Sequence, residues 1–168
     1  MTFFIEPGQP TPLKAQQIIA ADLSDALQDI YSMDDNNRVY LIWKTYRIPL
    51  CYKYDLSIII EDILLMLQSL LDSNHQTISF GSNTFNCTWS MKWNKCHITI
   101  TAKWNSVVGN IEKELNELTP NTIETSHFIK QWYPILLNIK KGIEYSEIAM
   151  IDRESYTQLT HLLTFLST

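Results

Sequence analysis

Between residues 84 and 104 the apolar positions alternate strictly with polar ones, and Asn94-Lys95 interrupts the run near its centre. A period of two sends successive side chains to opposite faces of a strand, so this stretch predicts a hairpin with one apolar and one polar face. A two-residue turn at Asn94-Lys95 predicts the register as well. Trp93 then faces Cys96, Met91 faces Ile98, Trp89 faces Ile100, Cys87 faces Ala102 and Phe85 faces Trp104. On the other side Lys92 meets His97, Ser90 meets Thr99, Thr88 meets Thr101 and Asn86 meets Lys103. One face is expected to pack on helices and the other to meet water. Residues 77–80 read as a further strand before Gly81.

Elsewhere the spacing is helical. Segment 11–33 reads as a helix, with Thr11 as N-cap, Pro12 at the tolerated first position, and Leu13, Ile18, Ile19, Leu23, Ala26, Leu27 and Ile30 along one face. Asp34-Asp35-Asn36-Asn37 ends it. Residues 1–10 precede it as an extended arm. Two runs rich in Val, Ile, Tyr and Trp, 38–43 and 47–52, form a hairpin around Lys44-Thr45-Tyr46. Pro49 demotes the second of them to a sheet edge. Asp55 is the expected cap of a helix reaching Asp72, in which eleven of the sixteen residues 56–71 are apolar, a composition suited to the middle of a fold. Segments 107–118 and 126–144 read as helices, the first ended by Thr119-Pro120 and the second kinked at Pro134. Asp152 caps a last helix. The sum is a single α+β domain: an antiparallel sheet of about five strands in two hairpin units, packed with about five helices.

Composition narrows the class. A chain of 168 residues with 45% hydrophobic and 18% charged positions suits one globular domain and argues against disorder. A net charge of −5 disfavours nucleic acid, whose affinity comes from phosphate neutralisation by Lys and Arg. Basic residues among Trp43, Tyr46, Tyr52 and Tyr54 raise single-strand binding, but no recognition pattern accompanies them. Cys51, Cys87 and Cys96 are odd in number and lack C-x-x-C spacing, which argues against a disulfide framework and a zinc site. The N-terminus lacks a basic, then apolar, export signal. The apolar run 56–71 carries Glu61 and Asp62 and is too short to span a bilayer. These features set the expectation of a cytoplasmic protein without metal, cofactor or membrane partner. Its oligomeric state is left unassigned.

No glycine-rich phosphate loop or nucleophile elbow occurs, and four glycines leave little to build one from. His75, His97, His127 and His161 are widely spaced. His97 is predicted on a polar strand face, and Cys96 beside it points the other way, so they form no nucleophile–base pair. Cys87 and Cys96 read as small buried apolar residues. Asn86-Cys87-Thr88 matches a glycosylation sequon without an export signal to use it. Glu61-Asp62 is either the solvent stripe of the apolar helix or, with His97 or His127, the acid–base pair of a small enzyme.

Charge is unevenly laid out: −5 over residues 1–37, +4 over 38–53, −4 over 54–75, +3 over 76–104 and −3 beyond. Asp22, Asp25 and Asp29, spaced i, i+3 and i+7, form an acidic stripe that Asp34 and Asp35 extend. Solubility alone accommodates such a stripe, and so does docking of a basic protein, where desolvated charge pairs are strong. Glu112, Glu114 and Glu117 offer a second, poorer face. The run Ile48-Pro49-Leu50-Cys51-Tyr52-Lys53-Tyr54-Asp55-Leu56, the segment 84–93, Ala102-Lys103-Trp104-Asn105-Ser106 and Phe128-Ile129-Lys130-Gln131-Trp132 together resemble the small bacterial immunity proteins of contact-dependent inhibition and other polymorphic toxin systems. The resemblance spans about residues 38–140 and implies a cytoplasmic, non-catalytic protein that binds a toxin domain, often a nuclease, and blocks it. A regulatory protein-binding module is the alternative with the same surface logic.

Overall fold

In a computed structural model the described residues are 3–15 and 17–166. They contain five α-helices and nine strands. In chain order these are β1 (Phe3–Glu6), β2 (Ile19–Ala20), α1 (Leu23–Ile30), β3 (Arg38–Trp43), β4 (Tyr46–Cys51), α2 (Ser57–Asp72), β5 (His75–Gly81), β6 (Phe85–Trp93), β7 (His97–Val107), α3 (Glu112–Glu117), β8 (Asn121–Glu124), α4 (Thr125–Ser146), β9 (Ala149–Met150) and α5 (Glu154–Leu166). The antiparallel strands make two sheets, β1-β3-β4 and β5-β6-β7-β8, and β2 pairs with β9 in parallel. The expected α+β class holds. No helix among the described residues is long and apolar enough to cross a membrane.

The apolar faces of the two sheets meet. Trp43 of β3 lies 5.4 Å from the Trp89 ring and 5.6 Å from Trp104, and Phe3 of β1 stands edge-on to both Trp43 and Trp89. All four are buried. Each such ring contact adds about 0.5–1.5 kcal/mol beyond the area it covers. The inner face of the larger hairpin therefore packs on a second sheet as well as on helices. Phe3, expected only in an N-terminal arm, is one of the largest fully buried side chains.

The predicted faces of β6 and β7 are right, but the register is displaced by two. Trp93 pairs with Ile98, Met91 with Ile100, Trp89 with Ala102 and Cys87 with Trp104. Asn94 causes the displacement: its Oδ1 accepts from the N–H groups of Cys96 (2.8 Å) and His97 (2.9 Å), closing a longer loop than two residues. A shift of two preserves the alternation, so every tryptophan stays inside. Cys96 leaves the apolar face and is exposed. A bulge after Asn86 then brings Phe85 opposite Val107.

The first helix differs most from expectation. Helical structure begins at Leu23, with Asp22 rather than Thr11 as its N-cap. Pro10 and Pro12 push the residues before them into extended conformations. Residues 7–15 run over the surface instead, held by Tyr52 Oη to the Pro7 carbonyl (2.8 Å), the Leu13 N–H to the Ile30 carbonyl (2.7 Å) and the Ala15 N–H to the Ser146 carbonyl (3.0 Å). Leu13, Ile18 and Ile19 stay exposed. Residues 107–111, expected to be helical, belong to the end of β7 and the following turn. Pro49 sits on the edge strand as expected, and α4 runs on through Pro134.

Asp55 is not a forward cap. Its buried carboxylate turns back to the Cys51 N–H (2.8 Å) and across to the Thr84 N–H and hydroxyl (3.1 Å each). It thereby ties the π-helical turn Tyr52–Leu56 to the β5–β6 loop. A second buried polar set joins α1 to α4. Tyr31 donates to the Asn138 carbonyl (3.0 Å), Asn138 Nδ2 donates to Tyr52 Oη (3.0 Å), and burial pushes both phenols far above their ordinary pKa. Gly142 faces this set, and a Cβ there would collide with the Tyr31 hydroxyl. Gly142→Ala should therefore destabilise the fold by about 1–3 kcal/mol. Urea denaturation should show this loss, and Tyr31→Phe in the same chain should recover part of it.

Candidate functional site

The short β2–β9 pairing brings two helix N-termini together. The Ile151 N–H donates to the Ala20 carbonyl (3.0 Å) and the Asp152 N–H to the Ala21 carbonyl (2.8 Å), so α1 and α5 start side by side. Both starts are acidic. Asp22 Oδ1 accepts from the Asp25 N–H (2.9 Å), and Asp25 Oδ2 reaches back to the Ala21 N–H (3.3 Å), a reciprocal cap. Asp152 Oδ1 accepts from the Glu154 N–H (2.8 Å). Carboxylates are favoured at these positions because the positive end of the helix dipole is there. Two acids of the predicted stripe thus have a local reason for their place. Asp29, one turn further along α1, is exposed and makes no hydrogen bond or ion pair with the described residues.

The middle of α2 completes the surface. Glu61 is exposed and accepts from Ser155 Oγ of α5 (2.9 Å). Asp62 beside it is half-buried, and its carboxyl is held above the ordinary aspartate range, first by burial and then by the Glu61 charge. Between α2 and α5 lies a groove of about 440 Å³ lined by Glu61, Asp62, Leu65, Asp152, Glu154 and Ser155 among others. Leu65 and Ile58, two turns apart on the same side of α2, are roughly half exposed. Two features that sequence spacing treated separately, the α1 stripe and the Glu61-Asp62 pair, therefore belong to one acidic helical layer.

Asp34 and Asp35 follow the end of α1 that carries Asp29, and both are engaged locally: Asp34 accepts from Ser32 Oγ and Asp35 pairs with Arg38 at 3.0 Å. Glu112 is engaged by the Val107 N–H (2.6 Å). The groups of the acid–base alternative are not assembled. His97 starts β7 opposite Glu124, His127 Nε2 lies 2.9 Å from the Phe3 carbonyl, and neither lines the groove that holds Glu61 and Asp62. Burial pushes the Cys51 and Cys87 thiols up, Cys87 far above its usual range. Among the described residues no group of three or more His, Cys, Asp or Glu is arranged to hold a metal ion.

No family model, curated protein or solved structure matches the chain.

The raised pKa of Asp62 has a definite consequence for pH dependence. Folding disfavours its ionised form, so its penalty is absent below the unfolded aspartate pKa of about 3.9, grows as pH rises from there through the folded value, and is constant above it. Asp62→Asn should raise the melting temperature at neutral pH, and the gain should shrink to nothing as the solution is acidified through the carboxylate range. Thermal melts of both forms across that range check the sign.

Proposed function

We propose that this chain is a non-catalytic immunity protein of the cytosol, which binds a basic toxin domain, a nuclease or similar, and neutralises it. The observation that carries the reading is the acidic cluster where α1, α2 and α5 adjoin: Glu61, Asp62, Asp152 and Glu154 line one groove, Asp22 starts α1 beside Asp152, and Asp25 and Asp29 follow along α1. Neither Arg153, which lies over the Tyr156 ring, nor Lys53, which donates to the Gln28 carbonyl at 2.6 Å, forms an ion pair with these acids. Like charges gathered this way repel one another, and a basic partner relieves the repulsion while gaining speed of encounter. Exposed Ile58 and Leu65 supply apolar contact within a polar rim, the usual anatomy of a protein interface. The family resemblance described above points to the same class of partner.

The caps dictate which substitutions test the proposal cleanly. Removing Asp22, Asp25 or Asp152 also removes a helix cap, which costs about 0.5–2 kcal/mol of stability. Asp29, Asp62 and Glu154 cap nothing. Asp29→Lys, Asp62→Lys and Glu154→Lys should each slow association with the toxin domain encoded beside this chain several-fold, and should flatten the fall of affinity with salt. Asp29→Lys should leave the melting temperature near that of the parent, so slowed association in that variant reads the surface and not the fold. Asp35→Lys, where the acid is already paired with Arg38, should change association little. Binding and growth protection unaffected by all three reversals would discard this surface. Failure of the unmodified chain to bind or protect against that domain would discard the immunity reading.

A further inference from the structure

Among the described residues, the edges of the two antiparallel sheets are protected, with one exception. The outward main-chain groups of β1 are taken by α4: the Ile5 N–H donates to Gln131 Oε1 (3.2 Å), and the Phe3 carbonyl meets His127 Nε2 (2.9 Å). The edge of β4 holds Pro49, which has no N–H to offer, and the Cys51 N–H, which is bound to Asp55 at 2.8 Å. Where β7 runs past β8, Thr119 Oγ1 accepts the Ala102 N–H (2.8 Å), and the Asn116 amide pairs with both main-chain groups of Trp104 (2.8 and 2.9 Å). β8 is four residues long and ends in charged Glu124. Short strands, proline, charge and side-chain cover are the usual protections against edge-to-edge pairing.

β5 has none of them. It is seven residues long and contains no proline, lysine, arginine, aspartate or glutamate. Hydrogen bonds from the Trp93 N–H to the Asn74 carbonyl (2.9 Å) and from the Ser82 N–H to the Phe85 carbonyl (2.8 Å) fix which residues face β6. Alternation then points the main-chain groups of Gln76, Ile78 and Phe80 toward β6 and those of His75, Thr77, Ser79 and Gly81 away from it. The His75 carbonyl accepts from Ser73 Oγ at 3.3 Å. The N–H and C=O groups of Thr77, Ser79 and Gly81 bond to none of the described residues, and all three residues are exposed.

We propose that β5 pairs with β5 of a second copy, antiparallel about a two-fold axis at Ile78. Thr77 then exchanges main-chain hydrogen bonds with Ser79 of the second copy, and Gly81 lies opposite its His75. The symmetry keeps Ile78 and Phe80 on the buried side and the Thr77 and Ser79 hydroxyls on the outer side, so the two larger sheets join into one. Charge selects a second copy for this edge. A chain of net −5 repels its own image over most of its surface, whereas β5 carries no acid and the outer-face residues paired with it are Asn86, Thr88, Ser90 and the basic Lys92. One strand pair covers less than an obligate interface does, so the dimer is concentration-dependent. This pairing is independent of the acidic layer and of what that layer binds.

Sedimentation velocity over a rising concentration series tests it, with amide hydrogen exchange read in parallel. The unmodified chain should shift from monomer to dimer, and the Thr77 and Ser79 amides should gain protection as it does, while the Ile78 amide is protected throughout. Thr77→Pro and Ser79→Pro each delete an N–H that serves no bond within the chain, and each should weaken self-association by about tenfold or more. A monomer across the series, a dimer whose Thr77 and Ser79 amides exchange freely, or a dimer indifferent to both substitutions would overturn the proposal. If a proline variant does not fold, the exchange pattern of the unmodified chain decides alone.

Discussion

Everything in this structure is arranged around the contact between two small sheets through Phe3, Trp43, Trp89 and Trp104. Each sheet has one apolar face, which it buries against the other sheet and the helices. The indole N–H groups of Trp43, Trp89 and Trp104 have no acceptor among the described atoms, so shape and apolar burial, more than polar pairing, hold the contact. Several other features follow from it. Phe3 reaches the centre only if β1 pairs with β3, and β1 stays in place because α4 occupies its free edge. The chain after β1 must then return to α1 across the outside of α4, and Tyr52, Asn138 and Gly142 form the fitted surface along that route.

The same layout separates charge. With the apolar faces of the sheets turned inward, the outer face of the larger sheet is left to Thr, Ser and Asn side chains with Lys92 and Lys103. Helices α1, α2 and α5 carry acids but no lysine or arginine. Part of that acidity is local, since Asp22 and Asp152 cap helices and Asp25 completes a cap. Asp29 and Asp62 have no such employment, and Asp62 is held at a cost visible in its raised pKa. Charges placed where the fold does not need them are the positions at which a role in binding is most readily sought.

The parts legible in the sequence were those where one local rule acts alone. The alternation from residue 84 to 104 identified which side chains of β6 and β7 are buried, because period two is a property of the strand itself. Its register was not legible, because the side chain of Asn94 chose the loop length and binary pattern cannot see that choice. The helix expected over 11–33 shrank to Leu23–Ile30 because two prolines and a better cap at Asp22 outweighed loosely spaced apolar residues. The strand at Phe3–Glu6 carried too short a pattern to stand out, and its pairing with β3 is long-range. For the candidate site, the acidic residues were visible but their grouping was not: two residues of parallel pairing between β2 and β9 decide that α1 and α5 begin together.

The central claim is that the acidic side of α1, α2 and α5 receives a basic protein. Its most direct test is a footprint: backbone amide exchange of this chain, free and saturated with the basic domain proposed as its partner. The account predicts slowed exchange at residues 22–29, at 58–65 and in the first turn of α5, with the outer face of the larger sheet unchanged. Slowing confined to that sheet face, with the three helices exchanging as in the free chain, would contradict it.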